Sequence, residues 1–119
     1  MTDLVACLST GKGTWGNVNR VISEGEWEKI FLFTNDFGKE NFKNEDKKVE
    51  LIIIDPRKPL IELIEEIKKS LEGKVNGTEV ALNLISGSGK EHMAILSAIM
   101  KAGLGFRQVA LTTEGIKEI

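Results

Sequence analysis

The sequence lacks the features that define several common classes of protein. Its 119 residues include a single cysteine, Cys7, so no disulfide can form within the chain, as is typical of proteins in a reducing cytoplasm. No stretch reaches the roughly 18 apolar residues that a membrane-spanning helix needs. Residues 1–3 lack the basic and apolar regions of a secretory signal. We therefore expect a cytoplasmic protein with no membrane partner.

Basic charge and histidine are also scarce. The chain carries 16 basic and 18 acidic residues, a formal net charge of −2, so it has no broad basic field to attract duplex nucleic acid. His92 is the only histidine and has no neighbouring cluster of cysteine or aspartate. We expect no metal site and no cofactor. A few local cations can still bind a small anion.

Short apolar runs alternate with helical patterns along the chain. The expected strands are 4–8, 30–34, 49–54, 79–85 and 107–112, and the expected helices begin near Trp15 or cover 60–71 and 90–102. Residues 37–48 fit an irregular helix or a mobile loop. This alternation predicts one α/β domain over residues 1–119: a Rossmann-like three-layer sandwich with a mostly parallel five-stranded sheet in the order 3-2-1-4-5.

In that order the first and fourth strands are neighbours, and the chain reverses direction across the sheet between them. Ligands of open α/β sheets bind at such a reversal, beyond the carboxyl ends of the strands. Two glycine-rich segments leave the strands there, the first loop at Ser9–Gly16 and the second loop at Ser86–Lys90. The sequence therefore predicts a phosphate-binding site between these two loops.

The first loop combines backbone freedom with polar groups. Gly11, Gly13 and Gly16 allow close approach of a ligand, and the helix that follows directs free N–H groups outward. Hydroxyls come from Ser9, Thr10 and Thr14, a cation from Lys12, and an aromatic ring from Trp15. A flexible strand-to-helix connection would explain the same composition without a ligand.

The second loop is typical of a backbone nest for an anion. Its residues Ser86, Gly87, Ser88, Gly89 and Lys90 lead into a helix, where an anion would offset the unfavourable position of Lys90 at the positive end of the helix dipole. A solvated lysine on an ordinary turn is the alternative interpretation.

Three residues near the loops have both a structural and a functional interpretation. Asn83, in an apolar strand, either braces the loops or touches the ligand, because a buried amide demands hydrogen-bond partners. His92 is either a proton carrier or a histidine whose ring is satisfied by its own fold. Cys7 lies in an apolar run and is expected to be a buried strand residue.

Two nucleotide motifs match in part. A P-loop would require glycine at Leu84 and serine or threonine at Glu91, so a nucleoside triphosphatase is poorly supported. The Gly11-x-Gly13-x-x-Gly16 spacing fits the dinucleotide fingerprint, with Asp36 placed as a ribose-binding acid. A nicotinamide- or flavin-binding domain is therefore the alternative function.

Taken together, the two loops resemble those of a known family. The hydroxyl-rich turn after the first strand, and the run from Asn83 through Lys90 into Met93-Ala94, are similar to the CRISPR-associated Rossmann fold, or CARF. The likeness extends from Leu4 to about Thr112. It implies a sensor of cyclic oligoadenylate, a ring of 3′–5′-linked AMP units, bound in the cleft of a homodimer and used in CRISPR antiviral signalling.

The resemblance also implies roles for individual residues. A stand-alone CARF domain resembles the ring nucleases, which cut the messenger without metal; binding alone is the other possibility. Cleavage without a good general base would be slow. Ser9 or Thr10 matches the hydroxyl of the family's first loop, and Lys90 matches the lysine of its second loop, which makes these three the candidate catalytic residues. The candidate ligand-binding residues are Gly11, Lys12, Gly13, Thr14, Trp15, Asn83, Ser86, Gly87, Ser88, Gly89, Lys90 and His92.

Overall fold

A computed structural model describes residues 2–119 of the chain, and Met1 lies outside the described residues. The strands are β1 (Thr2–Cys7), β2 (Trp27–Thr34), β3 (Val49–Ile53), β4 (Glu79–Asn83), β5 (Gly105–Thr112) and β6 (Gly115–Glu118). The helices are α1 (Trp15–Glu24), α2 (Asp36–Asn41), α3 (Leu60–Leu71) and α4 (Gly89–Lys101), with a 3-10 turn at Lys12–Thr14 before α1.

The strands form one six-stranded sheet in the order β3-β2-β1-β4-β5-β6. The first five are parallel to their neighbours, which confirms the Rossmann-like α/β fold and the predicted order for those strands. The expected number of five strands is wrong by one. β6 pairs antiparallel with β5 after a two-residue turn, with Thr112 opposite Gly115. Gly115 has a φ of 98°, a conformation that favours glycine.

Alternate residues of the central strands enter two separate cores. Val5 and Cys7 of β1 pack with α3 and α4 on one face of the sheet, whereas Leu4 and Ala6 pack with α1 on the other. The same alternation continues in β2, where Phe33 faces the first core. This period of two explains why the central strands are apolar throughout: both faces of the sheet are covered by helices.

Helix α3 follows its sequence pattern closely. Leu63, Ile64, Ile67 and Leu71 are its buried residues, and Pro59 immediately precedes it. Helix α4 begins with a capping box, in which the Ser88 hydroxyl accepts from the Glu91 N–H and the Glu91 carboxylate accepts from the Ser88 N–H. Both helices therefore have defined starts, and the start of α4 fixes the second loop against the sheet.

The segment between β2 and β3 contains a short helix rather than only a loop. In α2, the Asn35 side chain accepts a hydrogen bond from the Gly38 N–H at 2.9 Å. Gly38 packs so closely on Thr34 that a β-carbon there would overlap the Thr34 hydroxyl. The helix thus turns sharply back over the end of β2.

Candidate functional site

The segments that follow β1 and β4 lie side by side and are joined by hydrogen bonds. The Ser9 N–H donates to the Ser86 hydroxyl at 2.7 Å, and the two hydroxyls are 3.0 Å apart. Ser86 is buried, with 1% of its surface exposed, so its hydroxyl is held in place. The predicted neighbourhood of the first and second loops is therefore present, with Ser9 and Ser86 as the link between them.

The first loop is held by its own residues and by the end of β2. The Ser9 hydroxyl donates to the Gly11 carbonyl at 2.9 Å, and the Asn35 amide donates to the Thr10 hydroxyl at 2.6 Å. The Thr14 hydroxyl is buried and has no hydrogen-bond partner among residues 2–119. The loop is ordered around Ser9 and Thr10, so two of the three candidate catalytic groups have defined positions.

The glycines of the first loop are not required by the fold of the chain itself. None of Gly11, Gly13 and Gly16 is among the glycines with positive φ. A β-carbon at Gly13 or Gly16 would meet no atom within 4 Å. The tight turn and close packing that explain glycine in a dinucleotide fingerprint are thus absent here. What these positions offer is an open backbone.

Trp15 supports the first loop from below. It is 8% exposed, its indole N–H donates to the Ser9 carbonyl at 2.9 Å, and its ring meets the edge of Phe42 with centroids 5.8 Å apart. Lys12 lies above, its ammonium 5.7 Å from the Trp15 ring and 5.6 Å from that of Phe37. Lys12 itself is exposed and can reach a bound anion.

In the second loop, Gly87 is required by the structure. Its φ is 110°, and a β-carbon would come within 2.7 Å of the Cys7 sulfur and 3.0 Å of the His92 ring. Gly89, at the first position of α4, has open space around it. Among the described residues, nothing accepts a hydrogen bond from the backbone N–H of Gly89 or Lys90. These two donors at the start of α4 are available to a ligand.

Lys90 points toward the segment that follows β3. Its ammonium donates to the Lys58 carbonyl at 2.6 Å, and the Lys90 side chain is half-buried. Lys58 in turn is paired with Glu66 of α3. The position of Lys90 is therefore defined, but the contact that holds it would have to open before the ammonium could neutralise a phosphate.

His92 and Asn83 both make hydrogen bonds within the fold, as the structural interpretation of each residue predicts. The His92 Nε2 is 2.8 Å from the Ser86 carbonyl, which can only accept, so Nε2 carries a proton and donates it to that bond. The Asn83 amide donates to the Val109 carbonyl at 2.9 Å and accepts from the Ile85 N–H at 3.4 Å. Each side chain braces the second loop or the strand that leads to it.

Beneath the second loop lies a buried carboxylate that the sequence did not suggest. Glu91 is 7% exposed, and the Cys7 thiol approaches its carboxylate at 3.9 Å. Burial and then the Glu91 charge raise the pKa of Cys7 far above its ordinary value. The thiol thus stays protonated, and the prediction that Cys7 is a buried strand residue is confirmed. The role of Glu91 could have been predicted from the serine three residues before it, since that spacing is typical of a capping box.

Two pockets lie near the carboxyl ends of the strands, beside the two loops. A pocket of about 360 Å³, here called the β2–β3 pocket, opens at the carboxyl ends of those strands. A smaller one of about 170 Å³ lies near the ends of β4 and β5. The β2–β3 pocket is lined by Asn35, Asp36, Phe37, Ile53, Ile54, Asp55, Pro56 and Arg57. Of these residues, only Asp36 was a candidate ligand-binding residue in the sequence, and the fold brings the others beside it.

Residues 2–119 form neither a cluster of metal ligands nor a membrane-spanning helix. No group of three or more histidine, cysteine, aspartate or glutamate side chains is arranged to hold a metal ion. None of the helices has the length and apolar character needed to cross a bilayer.

Comparison with known proteins gives no family for this chain: no family model matches the sequence, and no curated protein matches it.

Proposed function

We propose that the chain binds a phosphate-bearing nucleotide at the first and second loops, and that this ligand is cyclic oligoadenylate held in the cleft of a homodimer. The observation that carries the proposal is the bonded pair of exits at the reversal of the sheet, where the Ser86 hydroxyl accepts from the Ser9 N–H at 2.7 Å. Open α/β sheets bind ligands at this place. The CARF resemblance of the same loops supplies the identity of the ligand.

Backbone donors and lysines suit the phosphates. The N–H groups of Gly89 and Lys90 begin a helix of 13 residues, whose dipole favours an anion. The buried Glu91 carboxylate nearby would repel that anion. Lys12 is exposed on the other loop and supplies the counter-charge, and Lys90 adds a second one once it leaves the Lys58 carbonyl.

A symmetric ring is best held by two copies of the chain. Helix α4 has one apolar stripe inside the molecule, where Ile95, Ala98 and Ile99 are buried. Its other stripe faces outward, with Met93 57% and Met100 59% exposed. An outward apolar stripe supports a homodimer in which the reversal points of two sheets meet across a two-fold axis.

Thermal unfolding with matched ligands tests the proposal. We expect cyclic tetra- or hexa-adenylate to raise the melting temperature while NAD does not, with a stabilisation of about 4 kcal/mol at 1,000 times the dissociation constant. Lys12→Gln should reduce the shift, whereas Lys43→Gln, an exposed lysine outside both loops, should not. If NAD alone stabilises the protein, the cyclic oligoadenylate proposal is lost in favour of the dinucleotide alternative.

The proposal extends to slow cleavage of the ring. The 2′-hydroxyl of a ribose gives up its proton to water, and its oxygen attacks the adjacent phosphorus in line. The bond from phosphorus to the 5′-oxygen of the next nucleotide breaks, and that oxygen takes up a proton from water, so the reaction consumes no net proton. The products are a 2′,3′-cyclic phosphate and a 5′-hydroxyl. Ser9 or Thr10 would orient the attacking sugar, and Lys90 would stabilise the charge on the phosphorane.

Cleavage is tested with labelled cyclic tetra-adenylate. Ser9→Ala and Lys90→Ala should each slow product formation at saturating ligand, since each removes one positioned group. Lys101→Ala, at the far end of α4, is the matched control and should cleave like the unaltered protein. Unchanged rates in both Ser9→Ala and Lys90→Ala would remove these residues from catalysis.

A further inference from the structure

The β2–β3 pocket has an apolar wall that the fold leaves uncovered. Phe37 is 38% exposed and Ile53 is 39% exposed, and Pro56 lies beside them in the pocket lining. A volume of about 360 Å³ falls in the range of small-molecule sites. Side chains of this kind pack against a planar ring, and base-to-aromatic packing tolerates any base.

The charged groups of the pocket favour hydroxyls over phosphate. The carboxylates of Asp36 and Asp55 line the pocket together with one guanidinium, that of Arg57. Arg57 is already bonded to Asp55, with Nε 3.0 Å from a carboxylate oxygen. The Asp36 carboxylate accepts no hydrogen bond within residues 2–119 and is exposed. A pocket with this negative balance repels phosphate, and its free carboxylate can accept from a neutral sugar.

The pocket adjoins the first loop through two contacts. Asn35, which lines the pocket, donates to the Thr10 hydroxyl at 2.6 Å. The Lys12 ammonium of the first loop lies 5.6 Å from the centroid of the Phe37 ring, which lines the pocket. A ligand with its phosphate beside Lys12 would therefore have its neutral part next to the pocket.

From this arrangement we propose that the β2–β3 pocket is a nucleoside subsite, in which the base packs against Phe37 and Ile53 and the ribose hydroxyls donate to Asp36. The proposal rests on the proposed function only for the position of the phosphate. It assigns the nucleoside to the carboxyl ends of β2 and β3, on the β2 side of the first loop. Each copy in a homodimer then takes one nucleoside of the ring in its own pocket.

The test separates the pocket from the loops by using two fragments of the ligand. Adenosine and inorganic pyrophosphate are titrated separately into the ¹⁵N-labelled full chain, and backbone amide signals are followed. We expect adenosine to shift the amides of Gly38 and Ile53, and Phe37→Ala to weaken adenosine binding about tenfold. Because the Lys12 ammonium lies 5.6 Å from the centroid of the Phe37 ring, Phe37→Ala should weaken pyrophosphate binding less than it weakens adenosine binding.

A second pair of variants does not disturb the aromatic packing. Asp36→Asn should weaken adenosine binding several-fold while leaving pyrophosphate binding unaffected. Glu40→Gln makes the same change of charge on the same helix, outside the pocket lining, and should bind both fragments like the unaltered chain.

The outcomes distinguish the two proposals. Adenosine that leaves these amides unshifted, or binds equally to the unaltered chain, Phe37→Ala and Asp36→Asn, overturns the nucleoside subsite even if pyrophosphate binds at the loops. Adenosine that binds in the pocket while pyrophosphate and cyclic tetra-adenylate fail to bind supports the subsite and overturns the proposed function.

Discussion

At the scale of single residues, the second loop depends on a small group of tightly packed atoms. Gly87 passes over the Cys7 sulfur, and the Cys7 thiol faces the buried Glu91 carboxylate at 3.9 Å. Substituting Gly87 would force a β-carbon into that sulfur and strain the left-handed backbone as well. A thiol is small and stays neutral, so it fits beneath the glycine without adding a charge next to Glu91.

The protonated Cys7 thiol predicts a pH dependence of stability. Above pH about 8.5 the unfolded chain releases the thiol proton, whereas the folded chain keeps it, because folding raises the pKa of Cys7. The free energy of unfolding should therefore fall as pH rises, by up to about 1.4 kcal/mol per pH unit from this group. Denaturant titrations between pH 8 and 9.5 measure the slope.

Cys7→Ala is the control for that slope. It removes the titrating group and should lose stability less steeply over the same range, although its stability at pH 7 is lower because the substitution leaves a small cavity. Parallel curves for Cys7→Ala and the unaltered protein would contradict the assignment of a raised thiol pKa.

At the scale of the elements, prediction succeeded where a repeating pattern was long. Helix α3 begins and ends at the predicted residues because its apolar residues recur over three turns. The five predicted strands are all present, with shifted ends. β1, β2 and β5 begin two or three residues before their predicted starts, whereas β3 and β4 start as predicted and end one or two residues early. β2 begins at Trp27 rather than at residue 30, since Glu28 and Lys29 interrupt the apolar run and lie at an irregularity in the pairing of β2 with β1. When charged residues lie near the end of a strand, the hydrophobic pattern of the sequence does not show where the strand begins.

The element that was missed is the hairpin strand β6. It has four residues, two of them charged, and no apolar run of its own. Its signal is the turn before it, where Gly115 follows Thr113-Glu114 and provides the positive φ that closes the hairpin. A strand this short is formed by pairing with β5 rather than by its own composition.

The candidate site could be predicted in part. The adjacency of the loops followed from the order of the strands, because parallel strands bring their carboxyl ends to one edge. Which glycines are required did not follow: Gly87 is fixed by Cys7, 80 positions earlier, whereas Gly13 meets nothing. The β2–β3 pocket was hidden for the same reason, since its two walls come from segments that meet only in the fold.

At the scale of the whole molecule, the outward stripe of α4 predicts the oligomeric state. Sedimentation should give the mass of two chains for the unaltered protein, and Met93→Glu with Met100→Glu should shift it to one chain, because two carboxylates would be buried at the contact. Ile119→Glu, which changes an apolar residue 74% exposed elsewhere, should remain a dimer. A single-chain mass for the unaltered protein at micromolar concentration would contradict the homodimer.

The two outermost strands have a consequence for how the molecule behaves at high concentration. A sheet margin offers unpaired peptide groups to which a foreign strand can add. Here one margin is β3, five residues long with lysines just before it and Glu50 within it, and the other is β6, four residues long with Lys117 and Glu118. Short, charged margins discourage such addition, so we expect crowding to leave the protein free of fibrils even where two copies associate through their helices.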